Sequence, residues 1–287
     1  MKVELLESAS EFLTRTESLR ASDPFRTNML GSVASSVATE ARTYEKYFWW
    51  VITDDSGKVV GAAMRTAPHG MVLVPMPLNA ARELALLVGI HDDELPGIAG
   101  PASLVKEFIA AYKISGTSGS KRPAEEVGHD LLYALGTLKI PTLIGSIENA
   151  QRDEFKRIYA WLINFGNEAG ILMPNPTESI EDGLRRNSWR FWLADGEIVS
   201  MAGHASLVQT PSGVVGRIGP VYTPPLHRRQ GYAGMLTAQL SQELINLGAR
   251  VMLYTDAKNP TSNGVYVRLG YELIGENKRF KFVDPEC

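Results

Sequence analysis

The segment Gly219-Pro220-Val221-Tyr222-Thr223-Pro224-Pro225-Leu226-His227 runs directly into Arg228-Arg229-Gln230-Gly231-Tyr232-Ala233-Gly234. It reads as a strand, a proline-interrupted turn and the start of a helix. The first four N–H groups of a helix lack intrahelical partners, and the helix dipole adds about half a positive charge there. Together these make an anion site. Gly231, Ala233 and Gly234 are small enough for a phosphate to approach the backbone, and His227, Arg228 and Arg229 supply further donors. The arrangement suits a pyrophosphate. It is not a Walker loop, since no glycine-lysine-serine/threonine triplet occurs, and its glycine spacing is not that of a dinucleotide fingerprint.

The helix that carries this loop shows one apolar face, Leu236, Leu240, Leu244 and Leu247, and Gly248 ends it. A strand is expected over Arg250–Thr255. Upstream, Trp189–Ala194, the Asp195-Gly196 turn and Glu197–Ser206 read as a hairpin. Tyr47–Val51, Asp54–Gly57 and Lys58–Arg65 follow the same program. Each hairpin is followed by a third strand (Met71–Val74; Val214–Tyr222) and a helix (Leu78–Val88; Gly231–Leu247). Two such units about 140 residues apart suggest duplication. Gly128–Leu138 would close the first unit, and Ile140–Ile147 and a helix over Asn149–Ala169 would open the second. The boundary is placed between residues 139 and 140. Ser115–Ser120 is a flexible loop by composition.

Composition bounds the rest. The chain of 287 residues is 44% hydrophobic and 21% charged, the balance of ordinary globular domains, and its length suits two of them. A net charge of −3 gives no general attraction to nucleic acid or acidic membranes. The single cysteine, Cys287, can form no internal disulfide and no cysteine-based metal site. Residues 1–7 carry acids where a secretory signal has its apolar run, and no apolar stretch reaches the roughly 20 residues needed to span a bilayer. The expectation is a cytoplasmic protein with no metal, as a monomer or homodimer.

Arg228-Arg229-Gln230-Gly231-Tyr232-Ala233 resembles the GNAT superfamily pattern Gln/Arg-x-x-Gly-x-Gly/Ala. The run Asn259-Pro260-x-Ser262-Asn263-x-x-Tyr266-x-x-Leu269-Gly270-Tyr271 is similar to the second CoA-binding segment of that superfamily, at the matching spacing. The resemblance covers about residues 140–283 and is closest to two-domain bacterial members with a degenerate N-terminal half. It implies an α/β (α+β) fold of tandem GNAT-like domains, each a mixed, mostly antiparallel sheet flanked by helices. Residues 1–139 would be the degenerate domain and 140–287 the catalytic one.

The resemblance also implies acetyl transfer from acetyl-CoA to a primary amine, by direct attack in a ternary complex. A CoA-binding sensor without turnover and a protein-lysine acetyltransferase stand as alternatives. Val221, Tyr222 and Thr223 would bond the pantetheine arm through backbone groups. Arg228, Arg229, Gln230, Gly231, Tyr232, Ala233 and Gly234 would hold the pyrophosphate. Asn259 and Asn263 would contact the cofactor or simply cap and orient the loop. Tyr266 would protonate the departing thiolate, and a backbone N–H near Val221 would stabilise the oxyanion. His204 has the intrinsic pKa of a base. Tyr271, Trp189, Trp192 and Met201 are expected in the core. The first unit's matching helix starts Met76-Pro77-Leu78, without glycine or a basic cluster, so that unit is expected to act as scaffold or substrate wall.

Overall fold

The computed structural model describes residues 1–116, 119–171, 173 and 175–284. Cys287 and the middle of the Ser115–Ser120 loop lie outside the described residues. The chain forms two compact units. Among the described residues, the first comprises those of 1–130, 210–212 and 275–284, and the second those of 131–209 and 213–274.

In the N-terminal unit, β1 (Lys2–Leu6) leads through α1 (Ala9–Arg15), α2 (Glu17–Ser22) and α3 (Asn28–Ala38) to the hairpin β2 (Tyr47–Thr53) and β3 (Val59–Thr66). Then come β4 (Met71–Leu73), α4 (Leu78–His91), β5 (Gly97–Pro101), α5 (Ala102–Ile114) and β6 (Ala124–Leu135). The strand order begins β1-β2-β3-β4-β5, with β4 and β5 parallel and the earlier pairs antiparallel. The continuous apolar run of β2 follows from burial on both faces. Trp49 and Val51 pack with Phe12 and Leu30 on the α1–α3 side, while Trp50 and Ile52 pack with Leu84 and Phe108 on the α4–α5 side.

The second unit holds β7 (Ser146–Asn149), α6 (Phe155–Ala169), α7 (Pro176–Arg185), β8 (Trp189–Ala194), β9 (Glu197–His204) and β10 (Val208–Thr210). It continues with β11 (Gly213–Tyr222), α8 (Tyr232–Asn246), β12 (Ala249–Asp256) and α9 (Pro260–Arg268), and β13 (Tyr271–Phe282) begins in this unit and passes into the first at residue 275. The order β12-β11-β9-β8-β7 is antiparallel except for the parallel pair β11 and β12. Both residues of the Asp195-Gly196 turn have positive φ, 49° and 78°, the geometry that matches strand twist in a two-residue hairpin. Phe191 packs toward α6 and α7, and Trp192 toward α8. Trp189, Trp192, Met201 and Tyr271 are core residues.

The sequence reading needs adjusting at three places. The first unit gives way to the second within β6, so the boundary expected after Lys139 lies inside the second unit. A strand running unbroken through the change leaves no compositional mark. Gly97–Gly100, assigned to no element above, belongs to β5. Its glycines answer to close packing: a Cβ on Gly100 would stand 2.8 Å from the Leu73 Cβ, and one on Gly97 would collide with the Phe280 carbonyl oxygen. Leu247 lies at the C-cap of α8 and is exposed, so the buried face is Leu236, Leu240 and Leu244. Gly248, at φ 78°, ends that helix as expected.

A candidate cofactor and acyl-transfer site

β11 and β12 run in parallel register from Val214↔Ala249 to Ile218↔Leu253. Beyond that pair β11 continues to Tyr222 and β12 to Asp256. On the other side of β11, the register with β9 shifts between Ile218 and Val221. Gly219-Pro220 occupies the shift; proline cannot donate to a ladder and is confined to such bulges within a sheet. The bulge re-aims the strand where Val221, Tyr222 and Thr223 follow. Ser200, fully buried on β9, fixes this end: its hydroxyl donates to the Tyr222 carbonyl at 3.1 Å and meets Thr223 Oγ1 at 2.8 Å.

The turn Pro224–Gly231 leads into α8. Gly231 is its N-cap at φ 88°, and no side chain caps the helix. Within the helix, the N–H of Met235 is the one that reaches back to the Gly231 carbonyl. The amides of Tyr232, Ala233 and Gly234 precede it and so have no intrahelical acceptor. These donors and the positive helix end fit a phosphate group. Arg229, itself at positive φ (62°), is exposed, and its side chain has no partner among the described residues. Gln230 accepts a 2.9 Å hydrogen bond from the Tyr232 hydroxyl.

Two of the small residues also have a structural reason to be small. Gly234 is buried, and a Cβ there would lie 3.2 Å from Val265 Cγ1. It lets α9 close on α8. Gly231 has its nearest neighbour, Leu143 Cδ2, 3.8 Å from the position of a Cβ, so its positive φ rather than crowding requires glycine. Arg228 is half-exposed and already engaged. Its Nη2 lies 2.8 Å from both carboxylate oxygens of Glu168, and its Nε donates to the Thr223 carbonyl at 2.9 Å.

Past β12, Asn259 caps α9, accepting from the Ser262 N–H at 3.0 Å. Asn263 donates its Nδ2 to the Asp256 carbonyl at 3.1 Å, while its buried Oδ1 has no partner among the described residues. Tyr266, one turn on, is buried in the cluster that contains Ile218 and Leu253, the last pair of the parallel ladder. Burial pushes its phenol up to about 12. It therefore stays protonated and able to donate at neutral pH.

His204 ends β9 opposite Ile218. Its Nδ1 lies 2.8 Å from the Ala205 carbonyl, and burial, with Arg186 and Arg190 adding, lowers its pKa. The shift favours the neutral imidazole, the form a base requires. Glu168, Ser200 and Leu143 were not legible as site residues. Each reaches the loop through tertiary contacts with no local motif.

No curated protein matches the chain. Residues 193–280 match the family model of FR47-like proteins. Solved structures match over the whole length. A GNAT-family acetyltransferase from Colwellia psychrerythraea is 12% identical with TM-score 0.59, over 99% of this chain and 100% of that one. A GCN5-related N-acetyltransferase from Sphaerobacter thermophilus is 13% identical with TM-score 0.62, over 100% and 96%. A tandem GNAT protein from the clavulanic acid biosynthesis pathway is 12% identical with TM-score 0.57, over 100% of both chains. The chain thus has the tandem GNAT acetyltransferase fold, with the FR47-like match in its C-terminal half.

Proposed function

We propose that the second unit transfers an acetyl group from acetyl-CoA to a primary amine, by direct attack in a ternary complex. One observation carries the reading. The β11–β12 ladder stops at Ile218↔Leu253, and β11 runs on alone to Tyr222 and the turn that leads into the uncapped first turn of α8. A cofactor arm entering between the strands would have its diphosphate delivered to the amides of residues 232–234. Val221–Thr223 would offer backbone groups along the arm, and Asn263 Oδ1 a buried acceptor.

Three tasks then fall to the protein. The amine must be neutral to attack, although a free alkylamine has a pKa of about 10.4. His204, uncharged and opposite Ile218, is the candidate acceptor of its proton. The carbonyl needs a donor as charge develops, and a backbone N–H near Val221 is in the right strand. The departing thiolate needs a proton, and the Tyr266 phenol is the candidate source.

The N-terminal unit would serve as scaffold. Where the second unit's ladder stops short, β4 and β5 of the first stay in close contact, with Gly100 against Leu73. Its α4 follows Met76-Pro77, with no glycine and no arginine at the turn. The test is release of free thiol from acetyl-CoA across a broad panel of amines. Tight acetyl-CoA binding with no amine accepted would replace transfer by cofactor sensing.

A further inference from the structure

Glu168 stands in the last turn of α6, where a carboxylate meets the negative end of the helix dipole. The dipole gives no reason for an acid there; its tertiary contacts do. Both oxygens accept from Arg228 Nη2 at 2.8 Å. The Tyr222 hydroxyl donates to Oε1 at 3.4 Å, and the Arg228 guanidinium carbon lies 5.8 Å from the Tyr222 ring centroid. Arg228 Nε closes the loop on itself through the Thr223 carbonyl. One guanidinium therefore ties α6 to the end of β11 and to the turn before α8.

Arginine has five N–H groups in a fixed plane. The Nε and Nη2 groups are engaged by Thr223 and Glu168, while Nη1 has no partner among the described residues. A guanidinium anchored on two sides keeps its third nitrogen in one orientation. We propose that Glu168 is a positioning residue for the cofactor diphosphate: it braces Arg228 so that the 223–231 loop and the free Nη1 are set before the ligand arrives. The inference rests on acetyl-CoA being the co-substrate. Its physical content is preorganisation, since a loop already held loses less freedom on binding. The pair is half-exposed on both sides, and such pairs contribute little to folding. Its removal should leave the protein folded.

The experiment compares two ligands on wild type, Glu168→Ala and Glu168→Gln. Acetyl-CoA carries the diphosphate; S-acetylpantetheine lacks it. Glu168→Ala should weaken acetyl-CoA binding about tenfold, the scale of one hydrogen bond to a charged group. S-acetylpantetheine binding should be unchanged, which also shows the variant to be folded. Glu168→Gln, which keeps one acceptor oxygen, should fall between. Equal losses for both ligands, or acetyl-CoA binding that is unchanged or tighter, would overturn the proposal while leaving the co-substrate assignment intact. A wild-type protein with no preference for acetyl-CoA over S-acetylpantetheine would remove both.

Discussion

The rings of Tyr266 and Tyr271 meet edge to face with centroids 6.0 Å apart, yet their hydroxyls have different fates. Tyr271 pairs with Ser241 Oγ at 2.7 Å, whereas the Tyr266 hydroxyl has no hydrogen-bond partner among the described residues. The two residues therefore make an internal control. Tyr266→Phe should lower kcat by up to about 10²–10⁴, with acetyl-CoA affinity little changed, because the loss falls on the transition state. Tyr271→Phe should cost about 1 kcal/mol of stability from the lost hydrogen bond and leave kcat alone. Steady-state kinetics with an accepted amine, under conditions where chemistry limits the rate, decides. Wild-type kcat in Tyr266→Phe would leave Tyr266 a packing residue.

The phosphate assignment needs a substitution that does not strain the turn. Gly231→Asp is a poor choice, because φ 88° penalises any side chain whatever it binds. Ala233 sits inside the first turn of α8, where an aspartate is welcome to the helix dipole. Ala233→Asp should thus keep or slightly raise Tm while placing a negative charge against the diphosphate. Calorimetric titration should show acetyl-CoA binding at least about tenfold weaker, equivalent to roughly 1.4 kcal/mol. Undiminished affinity would move the phosphate elsewhere.

The contrast between Gly231 and Glu168 shows which parts of this site can be read in a sequence. Gly231 announces itself because a helix start with positive φ demands a particular residue at a particular place. The hairpin at Asp195-Gly196 is legible for the same reason. Glu168 is 60 residues from Arg228, and nothing near it in the chain marks the pairing. β5 was hidden differently: Gly97 and Gly100 lower strand propensity, and the close approach of Phe280 to Gly97 and of Leu73 to Gly100 explains them. The end of β13 was hidden by distance, since its pairing with β5 spans most of the chain.

Stoichiometry tests the division of labour between the units. The second unit has the interrupted ladder and the uncapped glycine start, and the first has neither arrangement at β4, β5 and α4. Titration should give one acetyl-CoA per chain. Two equivalent sites would make the N-terminal unit a second catalytic domain.

His204 predicts a pH dependence of stability. Its folded pKa lies below 6.5, chiefly through burial, so the unfolded chain binds its proton first as pH falls. Stability from this residue is therefore present above about 6.5 and declines as pH drops toward the folded value. His69, lowered likewise by burial in the first unit, adds in the same direction, so the comparison must be with His204→Gln. Between about pH 7.5 and 5.5, wild type should lose more stability than His204→Gln in urea unfolding. Parallel curves would mean that His204 is not held neutral by the fold.

The last strand of the chain carries a prediction for the first unit. Asn277–Lys281 of β13 pair antiparallel with Gly97–Pro101 of β5, and Phe282 lies in the core beside Phe108, Leu104 and Ile98. Its ring is 5.2 Å from that of Tyr112, and the Arg122 guanidinium sits 6.0 Å above it. Phe282 is only 3% exposed, so truncation leaves a cavity that rigid neighbours fill poorly. Phe282→Ala should cost about 3–5 kcal/mol, the usual range for a buried aromatic. The loss should be local in hydrogen exchange: amides of β5 and α5 should exchange faster, while those of α8 and β11 keep their protection. Such a result would show that residues 275–284 belong energetically to the N-terminal unit. Unchanged protection in β5 and α5 would mean that the N-terminal core holds without the C-terminal strand.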